Sequence, residues 1–123
     1  MARMTRAAIL AVQDLKTVDV DVPEWEGGGG GIVGVRMLTA SERDEFDASL
    51  TNGTGENRTL NLHDLRARLL AICIVDDDDN PVFTAADVHA LGAKSSAALS
   101  VLFAAAQKLN GMLPAAVETA AKN

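Results

Sequence analysis

Acidic side chains at regular intervals are the first feature with chemistry to offer. Asp76, Asp78, Asn80, Val82, Thr84 and Asp87 occupy positions 1, 3, 5, 7, 9 and 12 of a twelve-residue window, the ligand spacing of an EF-hand calcium loop. Two residues depart from that pattern. Position 6 is Pro81, where the loop takes glycine for its sharp turn, and position 12 is Asp87, one methylene shorter than the usual bidentate Glu. The same residues read more simply as a solvated acidic turn followed by a helix cap at Thr84, so no metal ligand is assigned. The run Gly27 to Gly31 invites a phosphate-loop reading, but no Lys-Ser or Lys-Thr follows it and the next segment is strand-like. A flexible hairpin tip explains it better. Nucleophilic chemistry needs a base beside a nucleophile. The two histidines, His63 and His89, fall on separate predicted helices, and neither stands at metal-ligand spacing from another His or from a Cys. Cys73, the one cysteine, lies inside the apolar run Leu69 to Val75 and reads as a small buried hydrophobe. No catalytic residue, cofactor or metal is predicted, and an enzyme is the most distant reading.

The elements that would carry these residues are legible from their periods. Thr17-Val18-Asp19-Val20-Asp21-Val22 alternates strictly, the mark of a half-buried strand, and Pro23 ends it. Ile32 to Met37 reads as a second strand. The two strands around the glycines predict an antiparallel hairpin whose register the long loop leaves open. From residue 39 the period changes. Thr39-Ala40-Ser41-Glu42 is a capping box, opening a helix over about Ala40 to Leu50 with Phe46 and Leu50 on one face. A flexible loop, Asn52-Gly53-Thr54-Gly55, follows. A second helix is predicted from about Leu62 to Val75, with Leu62, Leu65, Leu69 and Ile72 at helical spacing. Its later half is apolar all round, and periodicity alone does not separate a buried helix from a strand there. Asp76 to Pro81 is a turn. Thr84 caps a short helix ending near Gly92. Ser95 or Ser96 caps a longer one to about Asn110, with Leu99, Leu102, Phe103, Ala106 and Leu109 as its buried stripe and Asn110-Gly111 as its stop. Residues 1–15 are ambiguous, with Ile9, Leu10, Val12 and Leu15 on a short strand or a helical turn, and Pro114 to Ala121 is either a last helix or a frayed end. The fold class expected is therefore α+β, an N-terminal antiparallel β-hairpin followed by four to five helices. It forms one domain over residues 1–123, with a hairpin region at 1–38, a helical core at 39–111 and a flexible C-terminal segment at 112–123.

Composition narrows the function. A chain of 123 residues with 48% hydrophobic and 23% charged side chains suits one domain with its own core. Aromatics are only 3%, so that core is aliphatic and alanine-rich, which favours closely packed helices. A net charge of -6 with no Lys/Arg run argues against nucleic acid as a partner. A single cysteine forms no internal disulfide and fits a reducing compartment. Ala7 to Val12 is too short for a signal-peptide core, and no segment reaches the ~20 apolar residues of a membrane span. The sequons at Asn52 and Asn57 therefore carry no expectation of glycosylation. Met112, Leu113 and Val117 are apolar at loose helical spacing near the C-terminus, and they are the expected partner-contact residues.

Several phrases, in their order and spacing, resemble the tail assembly chaperones of long, non-contractile bacteriophage tails. They are Val22-Pro23-Glu24-Trp25 leading to Val33 to Met37, Leu38 to Ser49 (LTASERDEFDAS), Leu65 to Ala71 (LRARLLA), Val75-Asp76-Asp77 through Pro81 to Gly92, and Leu109-Asn110-Gly111. The resemblance runs from about Ala7 over nearly the whole chain and transfers no single functional residue. It implies a non-enzymatic protein of the host bacterial cytoplasm, absent from the mature virion. Such a protein binds the long helical tape measure protein, keeps it soluble and helps recruit tail tube subunits. It also implies a longer, frameshifted form of the chain as a further partner: Ala121-Lys122-Asn123 is compatible with GCA-AAA-AAC, which contains a slippery heptamer. The competing readings are a permanent tail or head-to-tail joining protein of the virion and, from another class, a calcium-responsive binding module.

Overall fold

The computed structural model describes residues 2–28, 30–53 and 55–112. The valine–aspartate alternation forms strand β1 (Thr17–Asp21), antiparallel to β2 (Ile32–Arg36). Val18 stands opposite Val35 and Val20 opposite Val33. Directly opposed side chains share a face; on that face Val20 and Val35 are buried and Val33 half-buried, Val18 at the outer end is exposed, and Asp19 and Asp21 stay exposed. The register that the sequence left open is set in the connection. The Val22 N–H donates to the Gly31 carbonyl at 2.7 Å. Gly31 has φ +73°, and a Cβ there would stand 3.0 Å from the Val22 carbonyl oxygen. Only glycine meets both conditions. Between them Pro23–Gly28 forms a 3-10 turn that carries Trp25.

Ahead of the sheet, Arg6–Ala11 is a six-residue helix, α1, with Thr5 as N-cap and none of its residues buried. After β2 the predicted capping box is present. Thr39 Oγ1 accepts from the Glu42 N–H, and Glu42 Oε1 accepts from the Thr39 N–H, opening helix α2 (Ala40–Ser49). The segment expected to be a flexible loop is more ordered than that: β3 (Thr51–Asn52) and β4 (Thr59–Leu60) pair as a short ribbon.

The apolar run Leu69 to Val75 corrects the sequence reading. Helix α3 covers Leu65–Cys73, shorter at both ends than the predicted 62–75, and Ile74–Val75 is a strand, β5. Leu62 lies outside the helix because Asp64 takes a left-handed φ of 51°, which a right-handed helix does not admit. At the other end, β5 pairs antiparallel with β2, Val35 opposite Ile74 and Gly34 opposite Val75, and completes a sheet of order β1-β2-β5. Ladder bonds along the edge of β2 offer the two β-branched residues more than another helical turn would. The missing side chain of Gly34 admits the approach, since a Cβ there would lie 3.0 Å from the Val75 carbonyl oxygen.

The chain then turns at Asp76–Asn80 and continues through a 3-10 turn (Ala85–Asp87) into α4 (Val88–Gly92) and, capped by Ser95, into α5 (Ser96–Leu109). α5 ends in a Schellman motif: Met112 N–H donates to Gln107 O at 2.7 Å, Gly111 N–H to Lys108 O at 3.3 Å, and Gly111 has φ +68°. Helix α3 lies at the centre, packed on α2, α4, α5 and β2. Leu69, Leu70 and Cys73 of α3, Val22 and Val35 of the hairpin and Leu102 of α5 are the large, fully buried side chains. The fold is α+β as expected, with the hairpin followed by four helices among the described residues. No helix among the described residues is long and apolar enough to cross a membrane.

Candidate interaction surface

The acidic window has structural work of its own. Asp76 Oδ1 accepts from the backbone N–H groups of Asp78 at 2.9 Å and Asn80 at 3.0 Å. Asp79 adopts φ 63°, and the Val82 N–H returns to the Ile74 carbonyl at 3.2 Å. The window is thus a tight Asx-type turn that folds Pro81 and Val82 back beside β5. At its far end Asp87 Oδ2 accepts from the Thr84 N–H at 2.9 Å, as the acidic member of a capping box. Asp76 and Asp87 therefore spend their carboxylates on backbone amides rather than on a common centre. Among the described residues no three His, Cys, Asp or Glu side chains converge.

The residues that chemistry would need lie apart. His63 is 84% exposed, 3.3 Å from Asp64 Oδ2, and His89 is exposed on α4. Cys73 is fully buried, and burial pushes its thiol up to about 12, where it is neutral and inert at ordinary pH. One charged constellation is well built. Arg36 at the end of β2 donates from Nη1 and Nη2 to the two oxygens of Glu42 at 2.7 and 2.8 Å. This bidentate pair, with the capping bond, holds the Glu42 carboxyl down to about 2 and raises Arg36. It ties the sheet to α2. Arg68 donates to Ser49 O, Ser49 Oγ and Asn61 O and so holds the β3–β4 ribbon against α3. Asn110 does the same at the other end. Its Oδ1 accepts from the Leu38 N–H at 2.7 Å, its Nδ2 donates to Ala106 O at 2.9 Å, and its own carbonyl accepts from Arg43. These are ties between elements, and Arg36, Glu42 and Arg68 also line a hollow of about 370 Å³ with Phe46, Ile72 and Phe83.

The surface also offers grooves of mixed character. One of about 540 Å³ runs between α3 and α5, with Leu65, Leu99 and Phe103 in its wall beside Asp64, Arg66 and Lys94, and Ser100 and Ala104 on its rim. The Arg66 guanidinium lies 5.9 Å from the Phe103 ring centroid. A second groove, of about 490 Å³, lies between the 3-10 turn and α4, lined by Trp25, Phe83, Ala90 and Leu91, with Glu24, Asp87 and Lys94 around it. Exposed large apolar side chains include Met4, Ile9, Leu10, Val12 and Leu15 before β1. Of the contact residues expected from sequence, Met112 is only 8% exposed and belongs to the core. It follows Gly111 in the Schellman motif, a position whose side chain packs back on the helix. Leu113 and Val117 lie outside the described residues. Sequence reasoning missed both grooves because each is assembled from segments far apart in the chain. The lone Trp and the arginine-flanked apolar stretch near the N-terminus were the available signals.

The described residues thus combine grooves of mixed character with exposed apolar side chains. No curated protein matches the chain. The fold is similar to the solved structure titled "Structure of bacteriophage HK97 tail assembly chaperone", with a TM-score of 0.57, 21% sequence identity, and coverage of 77% of this chain and 85% of that one. The family profile described as "Phage tail assembly chaperone" matches residues 4–123, and the chain belongs to the phage tail assembly chaperone family.

Proposed function

We propose that this chain binds helical segments of the tape measure protein in the bacterial cytoplasm, keeps that protein soluble, and passes it to tail tube subunits without becoming part of the virion. The role is non-enzymatic. The observation that carries the reading is the groove between α3 and α5, in which Leu65, Leu99 and Phe103 form an apolar strip bordered by charged side chains and the small side chains Ser100 and Ala104. A groove of this kind accepts the apolar face of an amphipathic helix, and a long helical protein presents many such faces in turn. The acidic body fits the task, since net charge keeps a complex of apolar segments dispersed. Leu113 and Val117 are contact residues in this reading, so a chain ending after Met112 stays folded and binds less. A longer, frameshifted form would carry the same groove.

The test is co-expression with the tape measure protein of the same phage. The wild-type chain keeps it in the soluble fraction and co-purifies with it. Ala104→Arg, placed on the groove rim where the side chain is exposed, leaves the chain folded and the tape measure protein insoluble. Equal rescue by Ala104→Arg would remove the groove from the account. Stoichiometric recovery of the chain from purified particles would favour a permanent virion component instead.

A further inference from the structure

The groove between α3 and α5 holds a group that a wholly apolar guest would leave unanswered. Among the described residues Gln107 is the one buried polar side chain, 5% exposed. Its backbone carbonyl accepts from Met112 in the turn that ends α5, but its carboxamide makes no hydrogen bond among the described residues. Nor is that carboxamide sealed in, because the enclosed side-chain nitrogen or oxygen without a partner there is Arg68 Nε. Its opening is the groove, which it lines. A carboxamide offers a donor and an acceptor side by side, and covering it with carbon alone forfeits both at a cost. The groove also has two distinct ends. Ser96, Leu99, Ser100, Phe103, Ala104 and Gln107 line it from one face of α5. Following that face from Lys94, just ahead of the Ser95 cap, the wall passes from a cation through Leu99 and Phe103 to the amide. At 1.5 Å per residue the stretch from Ser96 to Gln107 is roughly 16 Å, about three helical turns. The charges beside the strip are Arg66 and Lys94 against Asp64, whose carboxylate lies 3.3 Å from His63. The groove margin is thus positive on a chain of net charge -6. Resting on the reading that this groove takes an amphipathic helix, we propose that its occupant interrupts its apolar stripe with an Asn or Gln paired to Gln107 and presents an Asp or Glu to Lys94 about three turns away. Gln107 then determines specificity. A stripe of leucines fills the wall but leaves the amide unpaired, so the groove selects one class of segment, and one register on it, over apolar helices in general.

The experiment titrates the full chain against overlapping, fluorescently labelled peptides that tile the tape measure protein of the same phage, read by anisotropy. The peptides that bind carry the acid and the carboxamide at this spacing, and replacing that carboxamide with Leu weakens them roughly tenfold. Gln107→Leu, close in volume to the residue it replaces, weakens the original peptides by the same factor. It binds the Leu-substituted peptides no worse than the wild type does, so the two losses do not add. Lys94→Glu, on an exposed residue, weakens the acid-bearing peptides about threefold, an effect that fades at ~0.5 M salt. The peptide substitution alone decides the matter should Gln107→Leu fail to fold. Binding indifferent to the carboxamide, or losses that add, overturns the proposal; if Ala104→Arg still abolishes binding, the groove reading stands without it. Peptides that bind Ala104→Arg as well as the wild type, or that do not bind the wild type at all, overturn both.

Discussion

Replacing Glu42 with glutamine should lower stability at neutral pH and lose that effect in acid. The carboxylate accepts both Arg36 Nη groups, at 2.7 and 2.8 Å, and the Thr39 N–H at 2.9 Å. Arg36 is the first cause of its low value of about 2, against the usual 4.5. At about 1.36 kcal/mol per pH unit, that difference taken whole is roughly 3 kcal/mol. The side chains of Arg36 and Glu42 are 13% and 30% exposed, so solvent screens part of the attraction, and about 1–2 kcal/mol is the expected contribution. The sign follows from linkage. A carboxyl held low in the folded state contributes fully above its unfolded value, and the contribution is lost as pH falls from 4.5 through 2. Glutamine can keep the capping bond to the Thr39 N–H but leaves Arg36 without its counter-charge. Urea unfolding of both proteins at pH 7, and then stepwise down to pH 2.5, isolates the pair, because every other acid is common to the two. The gap in unfolding free energy should be about 1–2 kcal/mol at pH 7 and should narrow steadily below pH 4.5. A gap that stays constant with pH, or is absent at pH 7, would refute the reasoning.

Three further outcomes follow from single contacts. Asn110→Ala removes the acceptor of the Leu38 N–H and the donor to Ala106 O, and it should cost about 2 kcal/mol in urea unfolding; Asn110→Asp, which keeps the acceptor, should recover part of that. Gly34→Ala puts a Cβ 3.0 Å from the Val75 carbonyl oxygen, so the β2–β5 ladder should loosen at a cost of about 1–2 kcal/mol, read as faster amide exchange at Ile74 and Val75. Cys73, fully buried with its thiol pushed up to about 12, should react with a thiol reagent at pH 8 only as fast as the chain unfolds, and at once in urea.

Local signals were the readable part of this sequence. Thr39 and Glu42 announce a capping box because both partners lie within one helical turn, and the structure has that box. Val20 and Val22 announce a strand because one core face selects every second residue, and Val18 continues the alternation although it is exposed. Signals were weakest where distant segments decide. Ile74 and Val75 sit in an apolar run whose first residues are helical. They leave the helix because Gly34, some forty residues earlier, offers them a ladder without a side chain in the way. Met112 read as surplus apolar surface because the core that takes it is closed by the turn at Gly111. The acidic window has the spacing of a calcium loop, but it read more simply as a turn and a cap at Thr84, and its first and last carboxylates are each satisfied by amides two to four residues away.

The N-terminal arm shows why a period can be absent for a physical reason. Periodicity in a sequence is the imprint of one apolar environment on a regular backbone. Val20 and Val22 carry the imprint of their own core, and so do Leu99, Leu102 and Ala106. Ile9, Leu10, Val12 and Leu15 suit a short strand or a helical turn but hold neither period over their full length, and all four are exposed among the described residues. If a folded core of the same molecule had selected them, one period would extend from α1 to Leu15. The residues that resisted assignment from sequence are therefore the ones on which the core of the described residues left no imprint.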